Sequence, residues 1–245
     1  PLPPAEVDAA IARSCAELHR LEAIFSTWIP GSPMNRYRAG ELEPEALSEE
    51  IPLVVELCAL AKAASRGWFD PWAVPGGFDP TGLTKGWIIE QATAILARSG
   101  VAGALVNGGG DIATSGSLHE EASWRVGIQH PWRPEALARV VELPGGSALA
   151  TSGRYQRGEH LIDPFAAAPQ HRRAGARVAS ATVSGPSLAL ADALATALVV
   201  AGRDALGIVE PLRGYSAYRI LEDGGEEATP DFPRIGQDRG RERSG

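Results

Sequence analysis

Residues 187–201 constrain the fold most. Leu188, Leu190, Ala191, Leu194, Leu198 and Val199 give a helix there a broad apolar face, and such a face has to be buried against other elements. The same helix carries Asp192 and Thr196. Four residues apart, they share one side of it. The small alanines at 191, 193 and 195 leave a ligand room to approach that side. A carboxylate beside a hydroxyl is a hard-oxygen pair that suits Mg²⁺, with a phosphate completing the shell. The plainer alternative is an exposed aspartate and a threonine bonded back to its own helix.

Three more helices follow from spacing. Val7, Ile11, Leu18, Leu21 and Phe25 predict one over 5–25, and Leu47, Ile51, Val54, Val55, Leu57 and Leu60 one over 45–65. A third is predicted over 84–99, entered from the Asp79-Pro-Thr-Gly turn. Strand-like runs lie at 103–106, 124–129, 139–143, 148–151, 177–183 and 215–220. Pro and Gly clusters at 30–33, 75–82, 107–110 and 144–146 read as turns. Helices and strands alternate without strict βαβ repetition, so the fold class is mixed α/β, or α+β. One domain is expected over 1–233, with a disordered tail at 234–245, where the chain turns polar and rich in Gly and Arg.

Composition narrows the function. A chain of 245 residues with 44% hydrophobic content can bury one substantial core. The net charge is −7 and no basic stripe occurs, which excludes nucleic acid as an expected partner. No run of about 18 apolar residues occurs, so no transmembrane segment is expected. Cys15 and Cys58 both fall in helical apolar patterns and read as core thiols rather than a disulfide. The chain opens at Pro1 with no charged-then-apolar leader. The expected location is cytoplasmic, with removal of an export leader as the alternative.

The remaining chemistry sits in four blocks. Gly82-Leu-Thr-Lys85-Gly86 places a lysine between a glycine turn and a helix start, where free N–H groups favour phosphate. Its spacing is not that of a Walker A loop. Asn107-Gly-Gly-Gly-Asp111 follows an apolar strand, and reads as a tight hairpin turn or a close backbone approach to a ligand. Thr151-Ser152-Gly153 runs toward His160-Leu-Ile-Asp163-Pro164. His160 can take a proton near neutral pH. In an extended chain it points away from Asp163, so the two form no local dyad. Asp70 and Asp79 each stand between Phe and Pro, a setting that suits turn initiation.

In this order the blocks, with Ala191-Asp192-Ala-Leu-Ala-Thr196, resemble the ApbE family of FAD:protein FMN transferases over about residues 5–202. The resemblance implies a single ApbE-like, T-fold-related domain. It implies that FAD is the substrate, that Mg²⁺ is the cofactor, and that the acceptor is a protein with a Ser/Thr flavinylation motif. Asp192 and Thr196 would bind the metal, joined by the backbone carbonyl of Thr84. Asp79, Lys85, Gly108, Gly109, Asp111, Ser152 and Gly153 would line the FAD site. His160 would be the base, with Asp163 second to it or organising the turn at Pro164. Trp68, Trp72 and Trp87 would stack on a flavin or adenine ring, or belong to the core.

The chain also departs from the family pattern. Only eight residues separate Asp70 from Asp79, where relatives carry a longer stretch. Glu90 stands where an aspartate is common, and Ser32-Pro-Met-Asn-Arg36 matches the family's serine-rich segment only loosely. The family's Met-Gly-Thr strand is not among these residues. Two other readings therefore stand beside transfer: an FAD pyrophosphatase giving FMN and AMP, and an FAD-binding protein without turnover.

Overall fold

The computed structural model describes residues 2–42, 48–117, 123–153, 162–166, 177–202 and 205–233. Four helices come first: α1 (Pro4–Phe25), α2 (Pro33–Arg38), α3 (Glu50–Ala64) and α4 (Thr81–Arg98). Then come β1 (Gly103–Gly108), β2 (Asp111–Gly116), β3 (Trp124–His130), β4 (Arg133–Leu143), β5 (Ala148–Gly153) and β6 (Val178–Gly185). The described residues close with α5 (Leu188–Ala201), α6 (Leu206–Val209), β7 (Ser216–Leu221) and β8 (Glu226–Ala228).

Six strands form an antiparallel sheet in the order β1-β2-β5-β6-β7-β8, and β3 with β4 makes a separate two-stranded ribbon. Strand periodicity sorts the sheet's two faces. Ala113, Ala148, Ala150, Ala181 and Ala217 face the α5 side, where they pack with Leu188, Leu194 and Leu198. Their neighbours Ile112, Leu149, Tyr218 and Ile220 face the ribbon and pack with Val126, Ile128, Val141 and Leu143. Small residues on one face let a helix lie close to the sheet, while large ones on the other fill the gap beneath the ribbon.

On its far side α5 presents Ala189, Ala193 and Ala197 to a third cluster, built from α1, α2, α3 and α4 around Leu21, Met34, Ile51, Val54 and Leu83. Eleven of the fourteen residues of α5 are buried. The broad apolar face seen in the sequence is therefore a helix enclosed on both sides.

The helices at 5–25, 84–99 and 187–201 and all six strand runs are present, with ends shifted by a few residues and β4 starting six residues early, at Arg133. Within α1 the buried face is Ala10, Ser14, Leu21 and Phe25. Cys15 falls one residue off that face and is exposed, against the expectation of a core thiol, whereas Cys58 is buried. The helix over 45–65 starts at Glu50, and residues 43–47 lie outside the described residues. So does the tail at 234–245. Among the described residues no helix is long and apolar enough to cross a membrane.

Candidate active site

The start of α4 is built by the Phe-Asp-Pro block. The Asp79 carboxylate accepts the Thr81 N–H at 3.0 Å. The Asp79 N–H donates to the Pro71 carbonyl at 2.8 Å, and Leu83 and Thr84 both donate to the Pro80 carbonyl. This turn starts the helix at Thr81, three residues before the apolar spacing alone predicts it. Burial, reinforced by the negative charge of Asp79, pushes the Cys58 thiol up to about 12. Asp70 also makes a turn, accepting the Trp72 N–H at 3.0 Å and pairing with Lys62 at 2.7 Å.

α4 runs along α5 in the opposite direction. A Cβ at Gly82 would lie 3.8 Å from the Thr196 hydroxyl, and one at Gly86 would lie 2.5 Å from the Leu188 carbonyl oxygen. These two contacts bracket Thr84 on one helix and Asp192 on the other, both almost fully buried. Strand β5 joins them, because the Ser152 and Thr196 hydroxyls are 3.1 Å apart. Gly153 ends that strand opposite Ser180.

Lys85 turns the other way, toward the sheet. Its ammonium lies 2.6 Å from the Asp111 carboxylate, whose side chain is fully buried. The second oxygen of Asp111 accepts the Thr151 N–H at 3.1 Å. Asp111 thus ties α4, β2 and β5 together. Gly108 pairs with Asp111 across the β1–β2 hairpin. Gly109 and Gly110, at φ of 64° and 97°, form its two-residue turn, which requires positive φ at both positions.

His160 lies outside the described residues. Asp163 accepts the Phe165 N–H at 3.0 Å and so shapes the turn at Pro164. Phe165 packs edge-on against Trp68 with ring centres 4.8 Å apart. Trp87 is a core residue set against Phe25, whereas Trp72 remains partly exposed beside Phe78.

The donor set is oxygen throughout: a buried carboxylate, two hydroxyls and a helix backbone. Among the described residues no three His, Cys, Asp or Glu side chains gather as a metal cluster. A cation held here would meet hard-oxygen ligands, which suit Mg²⁺ better than Zn²⁺. Sequence reasoning missed two links. One is the Thr151 backbone N–H, since main-chain donors carry no sequence mark. The other is the carboxylate of Glu90, which reaches the start of α5. Burial holds that carboxyl above the usual value for a glutamate, against hydrogen bonds from Leu188, Ser187 and Ala189 that pull it down.

A family model, that of the ApbE family, matches residues 73–218. The chain belongs to the ApbE family. Within that family it is 36% identical over 157 residues to the FAD:protein FMN transferase of Rhodobacter capsulatus, covering 60% of this chain and 29% of that protein. It is 29% identical over 154 residues to the FAD:protein FMN transferase of Escherichia coli K12, covering 60% of this chain and 43% of that protein. The chain therefore aligns with less than half the length of these curated relatives.

Solved ApbE structures share the fold. The flavin transferase ApbE from Vibrio cholerae superposes with a TM-score of 0.74 at 21% identity, covering 93% of this chain and 89% of that one. The ApbE protein of Thermotoga maritima gives 0.76 at 23% identity, covering 94% and 91%.

Proposed function

We propose that this ApbE-family chain transfers the FMN moiety of FAD to a Ser or Thr hydroxyl of an acceptor protein, with Mg²⁺ as cofactor and AMP as the leaving group. The observation that carries the reading is the pairing of α4 with α5. It sets Gly82 beside Thr196, whose hydroxyl lies 3.1 Å from that of Ser152, while Lys85 on the same helix as Gly82 is paired with Asp111. The curated relatives named as FAD:protein FMN transferases support it.

In this reading Asp192, Thr196 and the Thr84 carbonyl hold the cation. Bound there, Mg²⁺ supplies charge stabilisation at the diphosphate. Lys85 adds a second positive charge, kept in place by Asp111. Ser152 orients the Thr196 hydroxyl, and Asp79 starts the helix whose first turn faces the ligand. The acceptor oxygen forms a bond to the FMN-side phosphorus as the bond to the bridging oxygen breaks. AMP leaves with that oxygen, in line with the attack. His160 takes the hydroxyl proton, and Asp163 holds the turn that follows it.

The test mixes the protein with FAD, Mg²⁺ and an acceptor bearing a Ser/Thr flavinylation motif. The expected result is a fluorescent acceptor band on a denaturing gel, with AMP in solution. AMP without a labelled band points to hydrolysis of FAD. Neither product, with FAD bound, points to a binding protein.

A further inference from the structure

The two helices that carry the proposed cation ligands meet along matched stripes. On α4, Gly82, Gly86 and Glu90 are each four residues apart and share one face. On α5, Leu188, Asp192 and Thr196 do the same. The stripes run in opposite directions, with Gly82 beside Thr196 and Gly86 against Leu188 and Ala189. Glu90 closes the far end, where its carboxylate accepts the Leu188 N–H.

That contact is a helix cap delivered from another helix. The first N–H groups of an α-helix have no partner within it. In α5 the Leu188 and Ala189 N–H groups and the Ser187 hydroxyl all donate to Glu90. Ser187 in turn accepts the Leu190 N–H at 3.3 Å through its hydroxyl oxygen and the Ala191 N–H at 3.0 Å through its carbonyl. A carboxylate is also the side chain that a helix N-terminus favours. Gly86, one turn earlier, lets the two backbones touch, so the cap acts at the closest point of the crossing. Asp192 lies one turn beyond Leu188.

We propose that Glu90 is a positioning residue, which fixes the register of α5 along α4 and so sets Asp192 and Thr196 at the right distance from the Thr84 carbonyl. The inference rests on the assignment of those three as cation ligands. It assigns Glu90 no contact with substrate.

Mn²⁺ binding, read by the electron paramagnetic resonance of the free ion, tests it without turnover. The variants are Glu90→Ala, Glu90→Gln, Asp192→Ala and a control, Val141→Ala, which opens a gap under the distant ribbon. Glu90→Ala is expected to weaken Mn²⁺ binding by about tenfold or more, the range seen when support for a metal ligand is lost. Glu90→Gln keeps an acceptor oxygen and is expected to restore most of the affinity, and Val141→Ala to leave it unchanged. Wild-type affinity in Glu90→Ala, or a Gln variant as weak as the Ala variant, overturns the positioning role. Should Glu90→Ala fail to fold, Ser187→Ala removes one link of the same cap. Weaker binding in that variant supports the role, and unchanged binding overturns it. If Asp192→Ala binds Mn²⁺ as the wild type does, the ligand assignment itself fails and the role of Glu90 falls with it.

Discussion

Asp111 is fully buried with an ammonium 2.6 Å away and a backbone N–H on its other oxygen. Removing one partner of a buried ion pair strands the other, which costs about 3–5 kcal/mol. Lys85 is partly exposed, so the lower end of that range applies. Asp111→Ala is expected to lose about 3 kcal/mol in urea unfolding, and a loss below about 1 kcal/mol would show that the pair carries little. Asp192 belongs to the proposed chemistry instead. Asp192→Ala is expected to abolish flavin transfer even at high Mg²⁺, and near-normal activity would remove it from the cation site. Glu90 is expected to leave a pH signature. Its folded-state value lies above the ordinary 4.5. The stability linked to that shift is therefore complete below 4.5 and disappears as pH rises through the folded value. The melting temperature of Glu90→Gln relative to wild type is expected to rise from pH 4.5 toward neutrality. A difference that does not vary with pH contradicts this.

At the level of elements, the crossing of α4 and α5 depends on one missing side chain. A Cβ at Gly86 would meet the Leu188 carbonyl at 2.5 Å and the Ala189 nitrogen at 3.0 Å. Alanine gains up to about 1 kcal/mol in helix propensity over glycine. Overpacking against a backbone that cannot yield costs about 1–3 kcal/mol. The clash wins, and Gly86→Ala is expected to lower the melting temperature measured by circular dichroism. No change, or a rise, would show that the helices can separate freely. Elements of this kind were legible in the sequence where they bury long side chains at regular spacing, as in α1, α4 and α5. Those without such a signal were not. β2 reads Asp-Ile-Ala-Thr-Ser-Gly and is a strand because the two-residue turn before it folds it back on β1. α2 has six residues, too few for periodicity, and begins where Pro33 follows the Ser32 cap. Part of the candidate site was legible through its motifs, since Lys85 meets Asp111 and Ser152 meets Thr196, while His160 lies outside the described residues. What joins them, the Asp111 to Lys85 pair and the cap from Glu90, depends on how distant segments meet, which no local pattern encodes.

Across the whole molecule, α5 is shared by two cores, and one layer of sheet separates it from the third. All eight residues of β6 beside it are buried. Local opening of either requires most of the fold to come apart. Amides of α5 and β6 are expected to be the last to exchange with deuterium, and those of the two-stranded β3–β4 ribbon to exchange earlier. Ribbon amides that outlast α5 would contradict this. The burial pattern also makes the two cysteines chemically unequal. Cys58 is inaccessible and its thiol is pushed up to about 12, whereas Cys15 is exposed on α1. Only a reachable thiolate reacts with a maleimide. The folded chain should therefore accept one dye and the denatured chain two. That dye stands next to Ser14, whose hydroxyl bonds the Ala92 carbonyl in α4 at 3.0 Å. The native sequence thus carries its own single-site label, on the helix packed behind the one that bears Lys85.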